Sequence, residues 1–287
     1  MKDFSIPMGG GGPGSQPPEQ DGAELEILQL PQGMETYRMP ELPEADSLTG
    51  LEGARALLDR LREALDTVAG GVEQPPEIDL AGLGGAELGL IDQLLGEGEV
   101  SAIYRGQGEV RMQESVLAGV WRVRYLDAAG DLMRDTIEVG PIPAIVARAT
   151  FAKACNRIDG TTDDLPTGVI NAPPLLAEIN DKVPAYRPGR RPHVINLTLL
   201  PQTEQDLELL ADRLGEGGVS ILSRGYGNCR IRSTAVAHVW WVQYFNSQDA
   251  NILNTLEIGG VPEVACAAPE DIRDSRVRLQ EMLEIYR

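Results

Sequence analysis

Apolar residues first settle into helical spacing after Asp46. Leu51, Leu58, Leu61, Leu65 and Val68 share one stripe at that spacing, and Gly70-Gly71 ends the run. Thr49-Gly50-Leu51-Glu52 has capping-box spacing and predicts where this helix starts. Further on the period changes. Ile195-Asn196-Leu197-Thr198-Leu199 alternates and predicts a strand. Pro201 and Thr203 then introduce Leu207, Leu210 and Leu214, a short amphipathic helix that Gly215 stops. Val219–Leu222 reads as a second strand, Arg224-Gly225-Tyr226-Gly227 as a turn needing positive φ, and Cys229–Ser233 as the returning strand. His238–Phe245, rich in Val, Trp and Tyr, is the strongest strand signal. After a polar turn (246–251), Thr255–Ile258 predicts one more strand. Pro269 then opens a helix whose Ile272, Leu279, Met282, Leu283 and Tyr286 are available to pack.

Much of this pattern occurs twice. With an offset of 119 residues, Leu95–Pro143 lies over Leu214–Pro262 without a gap, and nineteen of the 49 positions are identical. Leu95-Gly96-Glu97-Gly98 matches Leu214-Gly215-Glu216-Gly217, and Val120-Trp121, Val123 and Tyr125 match Val239-Trp240, Val242 and Tyr244. Glu138, Gly140 and Pro143 return as Glu257, Gly259 and Pro262, and a two-residue gap sets Ile78-Asp79-Leu80 over Ile195-Asn196-Leu197. The expectation is an α+β fold of two tandem duplicated units, about residues 71–155 and 193–287. Each unit is a strand, a helix, an antiparallel strand meander and a helix.

The rest of the chain divides around these units. Residues 1–46 hold seven glycines and seven prolines, with nine acidic against two basic residues, and predict an extended acidic arm. Its short apolar pieces, Leu25–Leu28 and Met34–Met39, are candidates to dock on the body or on a partner. Residues 47–155 hold the first helix and first unit. Residues 156–192 form a linker in which Asn171-Ala172-Pro173-Pro174 to Ile179 predicts a short helix, followed by the basic turn Arg187–Pro192. Residues 193–287 complete the second unit.

Of 287 residues, 42% are hydrophobic and 24% charged, enough apolar material to bury a core. The formal charge is −19, which argues against nucleic acid and anionic membrane as partners of the whole chain. No apolar run approaches the roughly 18–20 residues needed to span a bilayer, and glycines interrupt the N-terminus before any signal-peptide core, so a cytoplasmic location is expected.

Candidate chemistry is sparse. Three cysteines (Cys155, Cys229, Cys266) and two histidines (His193, His238) are too scattered for a disulfide framework, and no CxxC or HxxxH pair predicts a metal. No catalytic residue, cofactor site or metal site is nominated. Gly106/Gly108 and Gly225/Gly227 stand between strands, so they read as hairpin turns and not as a phosphate cradle. Arg105/Arg224, Arg111/Arg230 and Glu138/Glu257 recur in both units; salt bridges at a hairpin are the expected use, a duplicated ligand site the other. Trp121 and Trp240 read as core.

The second unit departs from the first at Trp241 (for Arg122), Tyr226 (for Gln107) and His238 (for Gly119). These three are the candidate partner-binding residues, because exposed aromatic residues are enriched at interfaces. The plainer reading lays that face against the linker helix at 175–179.

Several segments carry a family resemblance. Gly12-Pro13-Gly14-Ser15-Gln16-Pro17, Leu30–Tyr37, Val169–Glu178, His193–Pro201, Leu214–Gly217, Val239–Val242 and Glu257–Gly259 together resemble the HupH/HyaF family of hydrogenase expression/formation proteins, over essentially the whole chain. The resemblance implies an accessory, chaperone-like role in maturing an uptake [NiFe] hydrogenase. It implies as partners the iron–sulfur small-subunit precursor before export and a thioredoxin-like companion. It transfers no catalytic residue and leaves the protein a binder, not an enzyme. The alternative is a factor using Cys155, Cys229 or Cys266 to deliver iron or sulfur in the same pathway, and a third reading is a purely structural dimer.

Overall fold

The computed structural model describes residues 51–71, 77–160, 165–225 and 227–285. The acidic arm, Thr49 and Tyr226 lie outside the described residues.

In chain order the elements are α1 (Glu52–Ala69), β1 (Ile78–Asp79), α2 (Gly85–Leu95), β2 (Val100–Arg105), β3 (Glu109–Glu114), β4 (Val120–Leu126), β5 (Leu132–Val139) and α3 (Ala144–Ala149). Then come α4 (Ala172–Lys182), β6 (His193–Asn196), α5 (Glu204–Leu214), β7 (Val219–Ser223), β8 (Asn228–Ser233), β9 (Val239–Phe245) and β10 (Asn251–Ile258). A 3-10 turn at Glu263–Ala265 precedes α6 (Pro269–Ile285). The protein is thus a mixed α/β fold around one ten-stranded antiparallel sheet.

The strand order is β1-β5-β4-β3-β2-β7-β8-β9-β10-β6. At its centre β2 pairs antiparallel with β7, with Ala102 opposite Ile221, Val100 opposite Ser223 and Tyr104 opposite Val219. Outward from this seam both sides run through a meander of three further strands to a short edge strand, β1 on one side and β6 on the other.

Alternation along the strands feeds three cores. On one face Val120, Ile137 and Val139 meet α1, α2 and α6 through Leu58, Leu61, Ile91, Leu94, Ile272 and Leu279. On the same face at the other end, Val239, Trp241 and Leu256 meet α4 and α5 through Leu175, Leu176, Ile179 and Leu210. The opposite face buries Met112, Trp121, Val123, Ile221, Ile231, Trp240 and Val242, closed by Val146 of α3 and by Ala265.

The repeated Leu-Gly-Glu-Gly motif has a backbone cause. Gly96 and Gly215 end α2 and α5 at φ 52° and 62°, conformations that side chains with a Cβ rarely adopt. Gly98 passes so close to the β3 end that a Cβ would lie 2.2 Å from the Ser115 carbonyl oxygen, and Gly217 meets the Ser233–Thr234 backbone in the same way.

The first unit ends in a short helix, α3, of six residues. The helix at the end of the second unit, α6, packs on α1, because Ile272, Leu279, Met282 and Leu283 complete the stripe formed by Leu57, Leu58, Leu61 and Leu65. The N-terminus of α1 has no capping bond from its N-cap, Leu51. The Ala54 N–H donates instead to Glu87 Oε1 (3.2 Å), while Glu87 Oε2 accepts from Gly84 N–H (2.9 Å), so one carboxylate ties the starts of α1 and α2. Asp206, 119 residues on, does the same for α4 and α5, with Oδ1 accepting from the N–H groups of Ile170, Asn171 and Ala172 (2.8–2.9 Å) and Oδ2 from Thr203 N–H (3.1 Å).

Candidate functional site

Of the three residues expected to face a partner, Trp241 and His238 are described, and they pack in different surroundings. Trp241 is 3% exposed, covered by Leu175, Leu176 and Ile179 of α4, and its Nε1–H donates to Asn254 Oδ1 at 2.6 Å. Its partner-facing role is therefore corrected: the plainer reading, cover by the linker helix, is the one observed. The first half holds an ion pair at the same two positions. Arg122 donates to Asp135 through Nε and Nη2 (2.5 Å each) and also pairs with Asp92. Asn254 and Asp135 are one offset apart, so the aromatic-amide pair stands where the other half has a salt bridge.

His238 is half-buried at φ 63°, at the position where Gly119 has φ 78°. Its ring packs against Tyr186 (4.6 Å) and Phe151 (5.6 Å), and burial holds its pKa below the ordinary imidazole value. Tyr226 cannot be placed with them, as it is outside the described residues.

The cysteines are also kept apart. Cys229 is buried, hydrogen bonds with Tyr244, and is pushed up to about 12 by burial. Burial and the nearby Glu263 and Glu114 carboxylates push Cys266 up to about 11. Thiols with such values carry little thiolate near neutrality. Cys155 is exposed. Among the described residues no group of three or more His, Cys, Asp or Glu side chains is arranged to hold a metal ion.

The repeated arginines of the first half share one carboxylate. Arg105 pairs with Glu109 across the β2–β3 hairpin (3.1 Å), as the hairpin salt-bridge reading expects, and Arg111 pairs with the same carboxylate along β3 (2.7 Å), whereas Arg230 in the second half pairs with Asp249 (3.9 Å). Glu138 takes no part in that hairpin. It lines a cleft of about 790 Å³ between the end of α1, β5, α3 and the start of α6.

The cleft is the site that sequence reasoning missed. Its walls include Val68, Val139, Ile142, Ile145 and Ile272, with Arg134, Arg148, Arg273 and Glu77 among its charged groups. Arg134 pairs with Glu77 and lies over the Tyr125 ring, 4.7 Å from its centroid. Glu138 Oε2 accepts the Ala144 N–H at 2.8 Å, which anchors the first turn of α3. Burial raises the Glu138 pKa above the ordinary carboxylate range, opposed by that hydrogen bond and by Arg134 and Arg148. Tyr125 and Glu138 recur in the second half as Tyr244 and Glu257, but the offset puts Leu253 and Ala267 where Arg134 and Arg148 stand. That asymmetry was readable in the sequence; the strand pairing that gives it meaning was not. An apolar cleft of this size with a few convergent polar groups is suited to holding part of a ligand or partner chain.

Fold and cleft together describe a mixed α/β protein: an antiparallel sheet, long helices over one face and the short α3 on the other, and an arginine-bearing cleft on the first half. The chain matches the family described as HupH hydrogenase expression protein, C-terminal conserved region, over residues 51–162 and again over 169–286. It belongs to that family of hydrogenase expression/formation proteins. It is 47% identical over 285 residues to hydrogenase expression/formation protein HoxQ of Cupriavidus necator, covering 99% of this chain and 98% of that one. Against HupH of Rhodobacter capsulatus it is 46% identical, with 100% of both chains covered. The hydrogenase-1 operon protein HyaF of Escherichia coli is 32% identical over 95% of this chain and 94% of its own. A solved structure, hydrogenase expression protein HupH from Thiobacillus denitrificans, is 32% identical and covers 40% of this chain and 95% of that one, with a TM-score of 0.37. Its relatives establish a role in hydrogenase maturation. Among the described residues no helix is long and apolar enough to cross a membrane.

Proposed function

We propose that this protein acts as a non-catalytic maturation factor that binds the iron–sulfur small-subunit precursor of an uptake [NiFe] hydrogenase before export, in company with a thioredoxin-like protein. Family membership over essentially the whole chain carries the pathway. The observation that favours binding over thiol chemistry is the pairing of an open cleft with two cysteines whose thiols burial holds protonated. The net charge of −19 favours encounter with basic segments of a precursor at low salt.

The cleft supplies the local contacts in this reading. Val68, Ile142, Ile145 and Ile272 take an apolar side chain of the bound segment, and Glu138, Arg148 and Arg273 orient it. The two family matches and the equal strand order on either side of the β2–β7 seam support a tandem duplication as the origin of the fold. In that reading the two halves have since diverged, the first keeping the arginines at its cleft.

Co-purification of the tagged chain with the small-subunit precursor, with and without Ile145→Glu, tests the proposal. The wild-type chain captures the precursor and the variant loses it while keeping its circular dichroism. If a strain lacking the gene processes the small subunit normally, the reading is wrong. Stoichiometric iron in anaerobically purified protein, lost on replacing Cys155, would promote the delivery alternative.

A further inference from the structure

At the outer end of the second half, β6 is an edge strand that among the described residues pairs only with β10. The Leu197 N–H donates to the Asn254 carbonyl (2.9 Å), and the register sets Ile195 opposite Leu256 and Val194 opposite Glu257. Antiparallel strands alternate the direction of their peptide groups. The N–H and C=O of Ile195 therefore turn toward β10, and those of Val194 and Asn196 turn outward along the free edge.

The surroundings of this edge are unusual for a chain of net charge −19. The turn that enters β6, Arg187-Pro188-Gly189-Arg190-Arg191-Pro192, is exposed throughout. Arg187 Nη1 donates to the carbonyls of Pro184 (2.8 Å) and Tyr186 (2.6 Å), which fixes the turn, and Arg190 N–H closes it on the Arg187 carbonyl (3.2 Å). The nearby carboxylates are taken: Glu178 bonds His193 Nε2 at 2.6 Å and Asp181 pairs with Lys182 at 2.8 Å. Among the described residues no carboxylate forms an ion pair with Arg187, Arg190 or Arg191. Within the strand Val194 is 49% exposed and past it Leu199 is 79% exposed, two apolar side chains left facing solvent.

We infer that the free edge of β6, with the arginine turn beside it, is a second interaction surface, and that its occupant is an extended acidic segment of a partner protein. Such a segment adds one strand to the sheet through the outward peptide groups of Val194 and Asn196. Its apolar residues cover Val194 and Leu199, and its carboxylates meet Arg190 and Arg191, where charge-assisted bonds are available to both. The opposite end of the sheet lacks this combination: β1 has two residues, and no arginine turn leads into it. The inference is independent of the cleft and of what the cleft holds.

The test uses the full chain and a short fluorescein-labelled peptide alternating Glu and Val, read by fluorescence anisotropy at low salt. Saturable binding is expected, weakening as salt is raised. Arg190→Glu with Arg191→Glu, on an exposed turn that leaves the fold intact by circular dichroism, weakens it by about tenfold or more. A copy of the peptide N-methylated at every amide, which has no N–H left to donate to the edge, does not bind. The inference is overturned if the full chain leaves the peptide unbound at low salt. It is equally overturned if the N-methylated copy or a Lys-Val counterpart binds as well, or if the double variant keeps its affinity.

Discussion

Replacing Glu114 with Gln should stabilise the protein, and by an amount that grows with pH. Glu114 ends β3, is 6% exposed, and accepts the Gly119 N–H at 3.0 Å, holding the turn into β4. Burial, together with the Glu99 and Asp271 carboxylates, pushes its pKa from the usual 4.5 up to about 7. In the unfolded chain the same group ionises near its usual value. As pH rises from about 4.5 to 7 the unfolded state gives up this proton first, so stability present at low pH is lost through that window. A shift of about 2.5 pH units corresponds to roughly 3 kcal/mol at about 1.4 kcal/mol per unit. Gln keeps an oxygen for the Gly119 N–H and carries no charge, so it is spared the loss. Urea unfolding followed by tryptophan fluorescence, at pH 5 and pH 8, measures the effect. The advantage of Glu114→Gln over wild type should be about 2–3 kcal/mol larger at pH 8 than at pH 5. Glu138 and Glu257 are also raised by burial, but they are present in both proteins and cancel in the difference. Parallel pH profiles for the two chains would refute the reasoning, and so would a variant less stable at pH 8.

Three further outcomes are expected. Trp241→Ala empties a site sealed by α4 and orphans Asn254, and should cost about 3–5 kcal/mol in chemical denaturation without creating a binding defect separable from stability. Asp206→Ala strips the acceptor from four backbone N–H groups and should cost about 3 kcal/mol at pH 7. Those bonds lower the Asp206 pKa, so its contribution is present above the ordinary 3.8 and lost as pH falls through the depressed value; the wild type and variant should converge in acid melts. Brief iodoacetamide treatment of the native chain at pH 8 should label Cys155 alone by mass spectrometry, with Cys229 and Cys266 reacting only after unfolding.

Periodicity and the internal repeat made most elements readable. β7, β8, β9 and the helix at Glu204–Leu214 fall where alternation, glycine and proline put them, while β10 begins at Asn251, four residues before the expected Thr255. What the linear pattern lacked was the partner of each face. Trp241 and Arg122 look like surface divergence when read alone. Only the pairing of β9 with β10 sets Trp241 beside Asn254, and that of β4 with β5 sets Arg122 beside Asp135. Glu87 and Asp206 were invisible for a related reason: each caps another helix, 33 to 36 residues away, and nothing local marks that service. The cleft needed three remote elements, α1, β5 and α6, to meet, so Tyr125, Arg134 and Glu138 carried no linear signal of sharing a cavity.

The packing of α6 on α1 has a consequence for how the chain matures on the ribosome. Asp66 and Arg276, which join the two helices, are 210 residues apart in sequence. At about 5–20 residues per second, α1 emerges roughly 10–40 seconds before the helix that will cover it. Through that interval Leu57, Leu61 and Leu65 lack the cover that Ile272 and Leu279 later supply, and only at its close, once β10 has ended at Ile258, can the second half assemble α4 and α5 over all of its own strands. Vectorial synthesis therefore leaves the first half open longest. A nascent chain stalled before residue 269 would carry a protease-sensitive α1, and docking of α6 would be the event that protects it.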